Sequence, residues 1–410
     1  MSLVLSRVIV LLAISSLINS GPVLAIPVSS QYDTGVTEEI QEESPTKKDQ
    51  WLLSSITTTS NNTMTQNNNN YTVSKKFTLI AHERVVQISP DNELHPRGIF
   101  YKAMTFNGSI PAPAISVHEG DTFEITLENR DTIPHSLNLH GIEGQDQSLL
   151  AYVEPGDSKT LRATANDVGV FVYHCTGDNL NGIWEHIASG MYGAIIVHPK
   201  NEKPAKEFYM VFGEIYNTID KGLFSGTNSS SHATSNSNVT NSTASDRLSS
   251  ITTTGGTPQQ EIGSFDMSKF IANKPDLILT NGMAYKYIPF IGTQTKMILN
   301  EDAEVFKVKP GELTRWYIVN AGPRGHLSFN FVGGMIISDP NMYNFDTSTS
   351  KTYMISIPPG SAKSIETVFP EEGVYVGNDH DIGRLLSGAI FVIIANNNSS
   401  SSDHPAGTHI

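Results

Sequence analysis

The chain repeats itself. Pro155-Gly156-Asp157-Ser158-Lys159, leading to Val168-Gly169-Val170-Phe171-Val172-Tyr173, returns as Pro359-Gly360-Ser361-Ala362-Lys363, leading to Glu372-Gly373-Val374-Tyr375-Val376, with an offset of 204 residues at both ends. Ser136-Leu137-Asn138-Leu139 is echoed by Ser328-Phe329-Asn330-Phe331, and the run from Ser189 to Ile196 by Leu386-Ser387-Gly388-Ala389-Ile390-Phe391. A period this long marks a whole domain copied once. Inside each copy, short alternating runs are separated by Pro-Gly and Asn-Gly turns, as in antiparallel strands. With 32 glycines and 21 prolines in 410 residues, long helices are disfavoured. The expected fold is all-β, two tandem Greek-key β-sandwich domains.

The copies occupy 77–200 and 205–395, the second interrupted by a low-complexity insert over 226–263. Residues 26–76 and 396–410 are polar, rich in Asn, Ser and Thr and without periodicity, and are expected to be a disordered stalk and tail. Residues 1–25 carry a basic start at Arg7, a short apolar core and a small-residue exit at Ala25, the pattern of a secretory signal. Asn-x-Ser/Thr triplets at Asn61, Asn70, Asn228, Asn238, Asn241 and Asn398 agree with export to a cell surface or pseudoperiplasm. A net charge of −14 argues against nucleic acid as a partner.

Only one copy carries a cysteine. Cys175 is the single thiol of the chain, so no internal disulfide is possible; His174 precedes it, and His186 and Met191 follow. Thiolate, two imidazoles and a thioether form the donor set of a mononuclear type 1 copper, and His135 is the upstream candidate for the missing imidazole. Side chains alternate along a strand. His135, Leu137 and Leu139 therefore share the inward face, while Ser136, Asn138 and His140 share the other. The same parity separates Cys175 from His174. His135 and Cys175 can share one metal, and His140 and His174 a second. In the second copy Asp379 stands at the cysteine's position, which limits the chain to one type 1 site.

The segments Pro134-His-Ser-Leu-Asn-Leu-His140, Phe171-Val-Tyr-His-Cys175 and Trp184-Glu-His-Ile-Ala-Ser-Gly-Met-Tyr-Gly-Ala-Ile195 resemble those of the two-domain copper-containing nitrite reductases, within the multicopper oxidase superfamily. The resemblance covers roughly 77–395 and implies two cupredoxin-like, plastocyanin-like domains. It implies His135, Cys175, His186 and Met191 as type 1 copper ligands. It also implies a type 2 copper held by His140 and His174 together with His380 of a neighbouring chain in a homotrimer. Electrons from a small donor protein, a cupredoxin or a cytochrome, would enter at type 1 copper. They would then pass through Cys175-His174 to nitrite, which is reduced to nitric oxide.

The chain departs from that family at the proton relay. The family's aspartate and histidine are matched by Asn138 and Asn330, and an amide cannot donate and recover a proton as they do. His326, four residues before Asn330 with the same parity, is a candidate replacement. The loop from Cys175 to His186 is also longer than the common bacterial form. Two alternatives stay open: a non-enzymatic copper electron carrier, and a laccase-like multicopper oxidase. The second requires His-x-His pairs for a trinuclear site, and none is present, since Thr176 follows Cys175 and Asn138 precedes Leu139-His140.

Overall fold

A computed structural model describes residues 73–91, 95, 97–142, 152–178, 182–219, 262–292, 297–300, 302–334, 336–338, 352–400 and 405. The expected signal and nearly all of the stalk lie outside these residues, as do most of the insert and the sequons at Asn61, Asn70, Asn228, Asn238 and Asn241. What is described is all-β, as the repeat implies.

In the first domain, one sheet orders the strands Ile262–Gly263, Ile99–Phe106, Lys75–Ser89, Thr122–Asn129 and Ser158–Thr164. The other orders Ile115–His118, Tyr192–His198, Gly169–His174 and Asn138–Leu139. Ile262 and Gly263, at the end of the insert, pair with Phe100 and Tyr101 and so tie the second half of the chain to the first domain's edge. The second domain repeats the plan. One sheet orders Leu277–Thr280, Lys206–Ile215, Leu313–Gly322, Ser361–Val368 and Ile336–Ser338; the other orders Phe306–Val308, Ile390–Ala395, Gly373–Asp379, Leu327–Val332 and Met354–Ile357. In both domains a long first strand pairs in parallel with a later strand, which in turn pairs antiparallel with the strand after the Pro-Gly turn.

Each sandwich buries its own core. Phe77, Leu79, Phe123, Ile125 and Leu127 meet Val117, Leu139, Tyr173, Ile195 and Val197 in the first. In the second, Trp316 stacks on Phe208 at 4.3 Å between centroids and sits 5.3 Å from Phe331. A third core lies between the domains, where Val170, Val172, Ala194 and Ile196 pack with Val211, Tyr317, Val319 and Val376. Strand alternation explains the division. In Gly169–His174, one face feeds the first domain's core and the other feeds this interface, so the strand Tyr192–His198 is buried along its whole length. Each Val or Ile so buried is worth about 1.5–3 kcal/mol relative to exposure. The interface therefore fixes one domain against the other, and His140 and His174 lie on the face it covers.

At the C-terminus, the amide of Asn396 bonds to Val308 O and Lys206 Nζ bonds to Ser400 O, which anchors the first residues of the tail. Asn398 is exposed.

Candidate metal centres

His135, Cys175 and His186 are fully or nearly fully buried, and their ligand atoms all lie within 4.8 Å of one another. Cys175 Sγ is 3.2 Å from His186 Nδ1 and 3.7 Å from His135 Nδ1, and the two Nδ1 atoms are 3.2 Å apart. Both imidazoles thus offer the same nitrogen to one point. His186 rides on a single helical turn, Ile183–Ala188, that enters through Gly182 in the left-handed region. The turn leaves through Gly190, also at positive φ, where a Cβ would strike Ile110. Met191 is buried at the same end. Its amide bonds to His186 O, and its carbonyl accepts from the Cys175 amide, so the loop is closed around the thiol.

The surroundings suit a metal. Backbone amides of Ser136 and Gly177 both donate to Cys175 Sγ at 3.3 Å, which favours thiolate. Burial nevertheless pushes the Cys175 thiol up, more than these donors offset. A cation at the convergence point would supply the missing stabilisation of the thiolate. Burial, reinforced by the neighbouring His135, holds His186 down to about 4, so this imidazole is neutral and ready to ligate at pH 7. His135 is also lowered by burial, although Asp131 opposes the shift. Asp131 Oδ2 lies 3.1 Å from His135 Nε2. With Nε2 donating to the carboxylate, Nδ1 carries the free lone pair. The Ser136 and Thr176 hydroxyls share a hydrogen bond beside the sulfur.

The second pair is equally defined. His140 Nε2 and His174 Nε2 are 2.9 Å apart, and each ring's Nδ1 donates to a carbonyl: Gly360 O at 3.1 Å for His140, Cys175 O at 2.9 Å for His174. Two lone pairs therefore face each other, an arrangement that a shared cation relieves. Burial, opposed by the bond to Cys175 O and aided more weakly by the neighbouring His140, holds His174 to about 4. Gly360 belongs to the second domain's Pro-Pro-Gly turn, 220 residues away. The face that parity makes outward from the first sandwich is thus covered by the second. Asn138 is half-buried and opposite His174 in the strand ladder.

His380 is exposed in this chain and does not join His140 and His174. Its amide bonds to Ser328 O, which places it at the edge where the strand Leu327–Val332 begins, close in sequence to the exposed His326. Asn330 is different. It is fully buried, pairs with Asn378 and Met354 in the sheet, and neither amide atom has a hydrogen-bond partner among the described residues. The two relay candidates are thereby separated: His326 reaches solvent, two residues before the Ser328 carbonyl that holds the His380 amide, and Asn330 does not.

Among the described residues one other group of possible ligand atoms converges, His198, Glu202 and Glu207. There Arg315 already bonds to Glu207 and pairs with Glu202, so a guanidinium supplies the positive charge.

Residues 90–202 match a family model described as multicopper oxidase. A copper-containing nitrite reductase of Neisseria meningitidis is 28% identical over 299 residues, 71% of this chain and 63% of that protein. The chain thus spans a little under two thirds of that relative's length. A copper-containing nitrite reductase of Rhizobium meliloti is 41% identical over 129 residues, 30% of this chain and 32% of that one. The structure of the copper nitrite reductase from Nitrosomonas europaea superposes with a TM-score of 0.58 at 26% identity, covering 82% of this chain and all of that one. The chain is thus similar over residues 90–202 to a multicopper oxidase domain, and over both of its cupredoxin-like domains to copper-containing nitrite reductases.

Proposed function

We propose that the chain reduces nitrite to nitric oxide, NO2⁻ + e⁻ + 2H⁺ → NO + H2O. One observation carries the reading. The adjacent residues His174 and Cys175 point to opposite faces of one strand end, so a single peptide bond joins the sulfur-containing donor set to the imidazole pair. Copper held at each set supplies one-electron redox chemistry. Electrons enter at the set of His135, Cys175, His186 and Met191 and travel along Cys175-His174. The donor, a small cupredoxin or cytochrome, docks where Ile133 and Trp184 leave apolar surface two residues before His135 and His186. His380 of a neighbouring chain completes the imidazole site, which makes the working form a homotrimer. Export across a membrane places the enzyme outside the cytoplasm, where both donor and nitrite reach it.

Protons are the residues' own task. The Asn138 amide carries no acid proton to give, so His326, exposed and two residues before the Ser328 carbonyl that holds the His380 amide, is the group of this chain suited to deliver them. A second reading, a copper electron carrier, is favoured by the amide at Asn138. Nitric oxide formation from nitrite with an artificial electron donor decides between them. Turnover supports the reductase; a protein that takes up and releases electrons but yields no nitric oxide is the carrier.

A further inference from the structure

The second domain has lost the cysteine, yet it keeps the cysteine's scaffold. Ser136 N donates to Cys175 Sγ at 3.3 Å, and Ser328 N donates to Asp379 Oδ1 at 3.0 Å. Gly177 N, two residues after the cysteine, donates to the same sulfur at 3.3 Å; Asp381 N, two residues after the aspartate, donates to Asp379 Oδ1 at 3.1 Å. Cys175 N bonds to Met191 O at 3.1 Å, and Asp379 N to Ala389 O at 3.0 Å. Met191 N bonds to His186 O at 3.0 Å, and Ala389 N to Arg384 O at 3.0 Å. By these four correspondences Asp379, Arg384 and Ala389 occupy the places of Cys175, His186 and Met191.

Where His186 faces the sulfur through Nδ1, Arg384 donates through Nε to Asp379 Oδ2 at 2.7 Å. Its Nη1 bonds to Glu214 on the strand Lys206–Ile215. All three charged groups are buried: Asp379 is 0%, Glu214 1% and Arg384 8% exposed. Ions so removed from water are costly unless paired and bonded on their remaining sides, a condition that Arg384 Nη2, without a hydrogen-bond partner among the described residues, leaves unmet. Glu214 meets that condition by accepting from Tyr216 OH at 2.7 Å, Arg324 N at 2.9 Å and Gly325 N at 2.8 Å. Gly325 lies flush against the pair, and a Cβ there would fall on the guanidinium and on Glu214 Oε1.

We propose that Arg384, Glu214 and Asp379 form a charged cluster in the second domain at the position of the first domain's copper-ligand set, and that it positions His326 and His380. The reach is short at both ends. Glu214 fixes Arg324 and Gly325, immediately before His326. Asp379 fixes Ser328 and Asp381, and His380 lies between Asp379 and Asp381 with its amide on Ser328 O. A guanidinium does for these two loops what a metal does for its ligand loop: it holds segments from separate strands around one centre of charge. Arg suits this because its planar fork offers Nε and Nη1 to two carboxylates at once, which an ammonium cannot match. The inference rests on the proposed nitrite-reductase reading, in which His380 is a ligand.

The test is copper titration of the metal-free protein, with electron paramagnetic resonance resolving type 1 from type 2 signals and the visible band followed in parallel. Glu214→Gln and Gly325→Ala are each expected to weaken type 2 copper about 10–100-fold, the usual effect of removing a group that orients a ligand. Type 1 affinity and the visible band should stay at wild-type values, because their scaffold lies in the other domain. Wild-type type 2 affinity in both variants, or equal losses at both copper classes together with the unfolding temperature, overturns the proposal. If Glu214→Gln does not fold, Gly325→Ala, which keeps every charge, decides. His380→Ala is run beside them. Loss of type 2 copper there, with full affinity in Glu214→Gln and Gly325→Ala, sinks the positioning inference alone. Retention of type 2 copper in His380→Ala sinks the three-histidine reading and the inference built on it.

Discussion

Asp131 accepts from His135 Nε2 at 3.1 Å, and the imidazole it holds presents Nδ1 toward Cys175. Burial disfavours the carboxylate form, but the Thr132 amide and His135 overcome this and keep the Asp131 carboxyl below the usual range. Asp131→Ala removes the group that sets the ring's tautomer. Type 1 copper should bind about 10–100-fold more weakly while type 2 copper is unaffected. Competitive chelation followed at the visible band measures this; unchanged affinity would show that His135 is oriented by packing alone.

Cys175→Ala is expected to abolish the intense visible absorption of the copper-loaded protein. The band arises from thiolate-to-copper charge transfer, and no second thiol exists to replace the first. Colour that survives the substitution would refute the sulfur assignment.

His140→Ala should separate the two centres in the opposite direction. The variant keeps the visible band, loses the second copper and loses nitrite turnover, since His140 faces His174 and the second domain rather than the sulfur. Copper content with paramagnetic resonance reads the outcome, and a bleached variant would contradict the face assignment.

Local features of the two centres are legible in the order of residues. Parity alone sorts His135 with Cys175 and His140 with His174, because strand alternation is a local property. Met191 follows from its spacing to His186, and the repeat gives both sandwiches. Features that depend on long-range contacts leave no such trace. The partner of His140 is a backbone carbonyl 220 residues on, and backbone atoms carry no residue signal. Asp131 is an acid in an Asn-Arg-Asp-Thr turn, indistinguishable by type from a surface residue until its carboxylate is seen on the ring. Arg384 falls in a helix turn whose likeness to the His186 turn emerges only from the matching hydrogen bonds. The amides at 138 and 330 look equivalent in the repeat, yet one is half-buried beside His174 and the other sealed in the second sandwich.

Acid should weaken the metal-free fold. Burial holds His174 and His186 at about 4, below the ordinary value of 6.5, so between these pH values the unfolded chain binds more protons than the folded one. Stability then rises with pH through this window and is lost as pH falls from about 6.5 toward 4. Thermal unfolding of the metal-free protein across pH 4–7 tests it. A melting temperature independent of pH over that range would mean that the imidazoles protonate without penalty.

Asn138→Asp places an acid at the one relay position that touches the imidazole site from the first domain. Residue 138 pairs with His174 across the ladder and shares the face of His140. A carboxyl there is partly desolvated, which raises its pKa toward the working pH, while nearby copper would lower it; the balance decides how readily it donates. General acid catalysis commonly contributes about 10²–10⁴ in rate. The variant is therefore expected to form nitric oxide at least about tenfold faster than the native protein, with a pH profile that falls off on the alkaline side as the carboxyl ionises. Asn330→His, buried away from solvent, should add nothing to it. Turnover is measured with an artificial electron donor, so that electron supply does not limit the rate. A variant no faster than the native enzyme would assign proton delivery to His326, and His326→Ala would then be the slow protein; no activity in any of the three would leave the copper carrier as the reading.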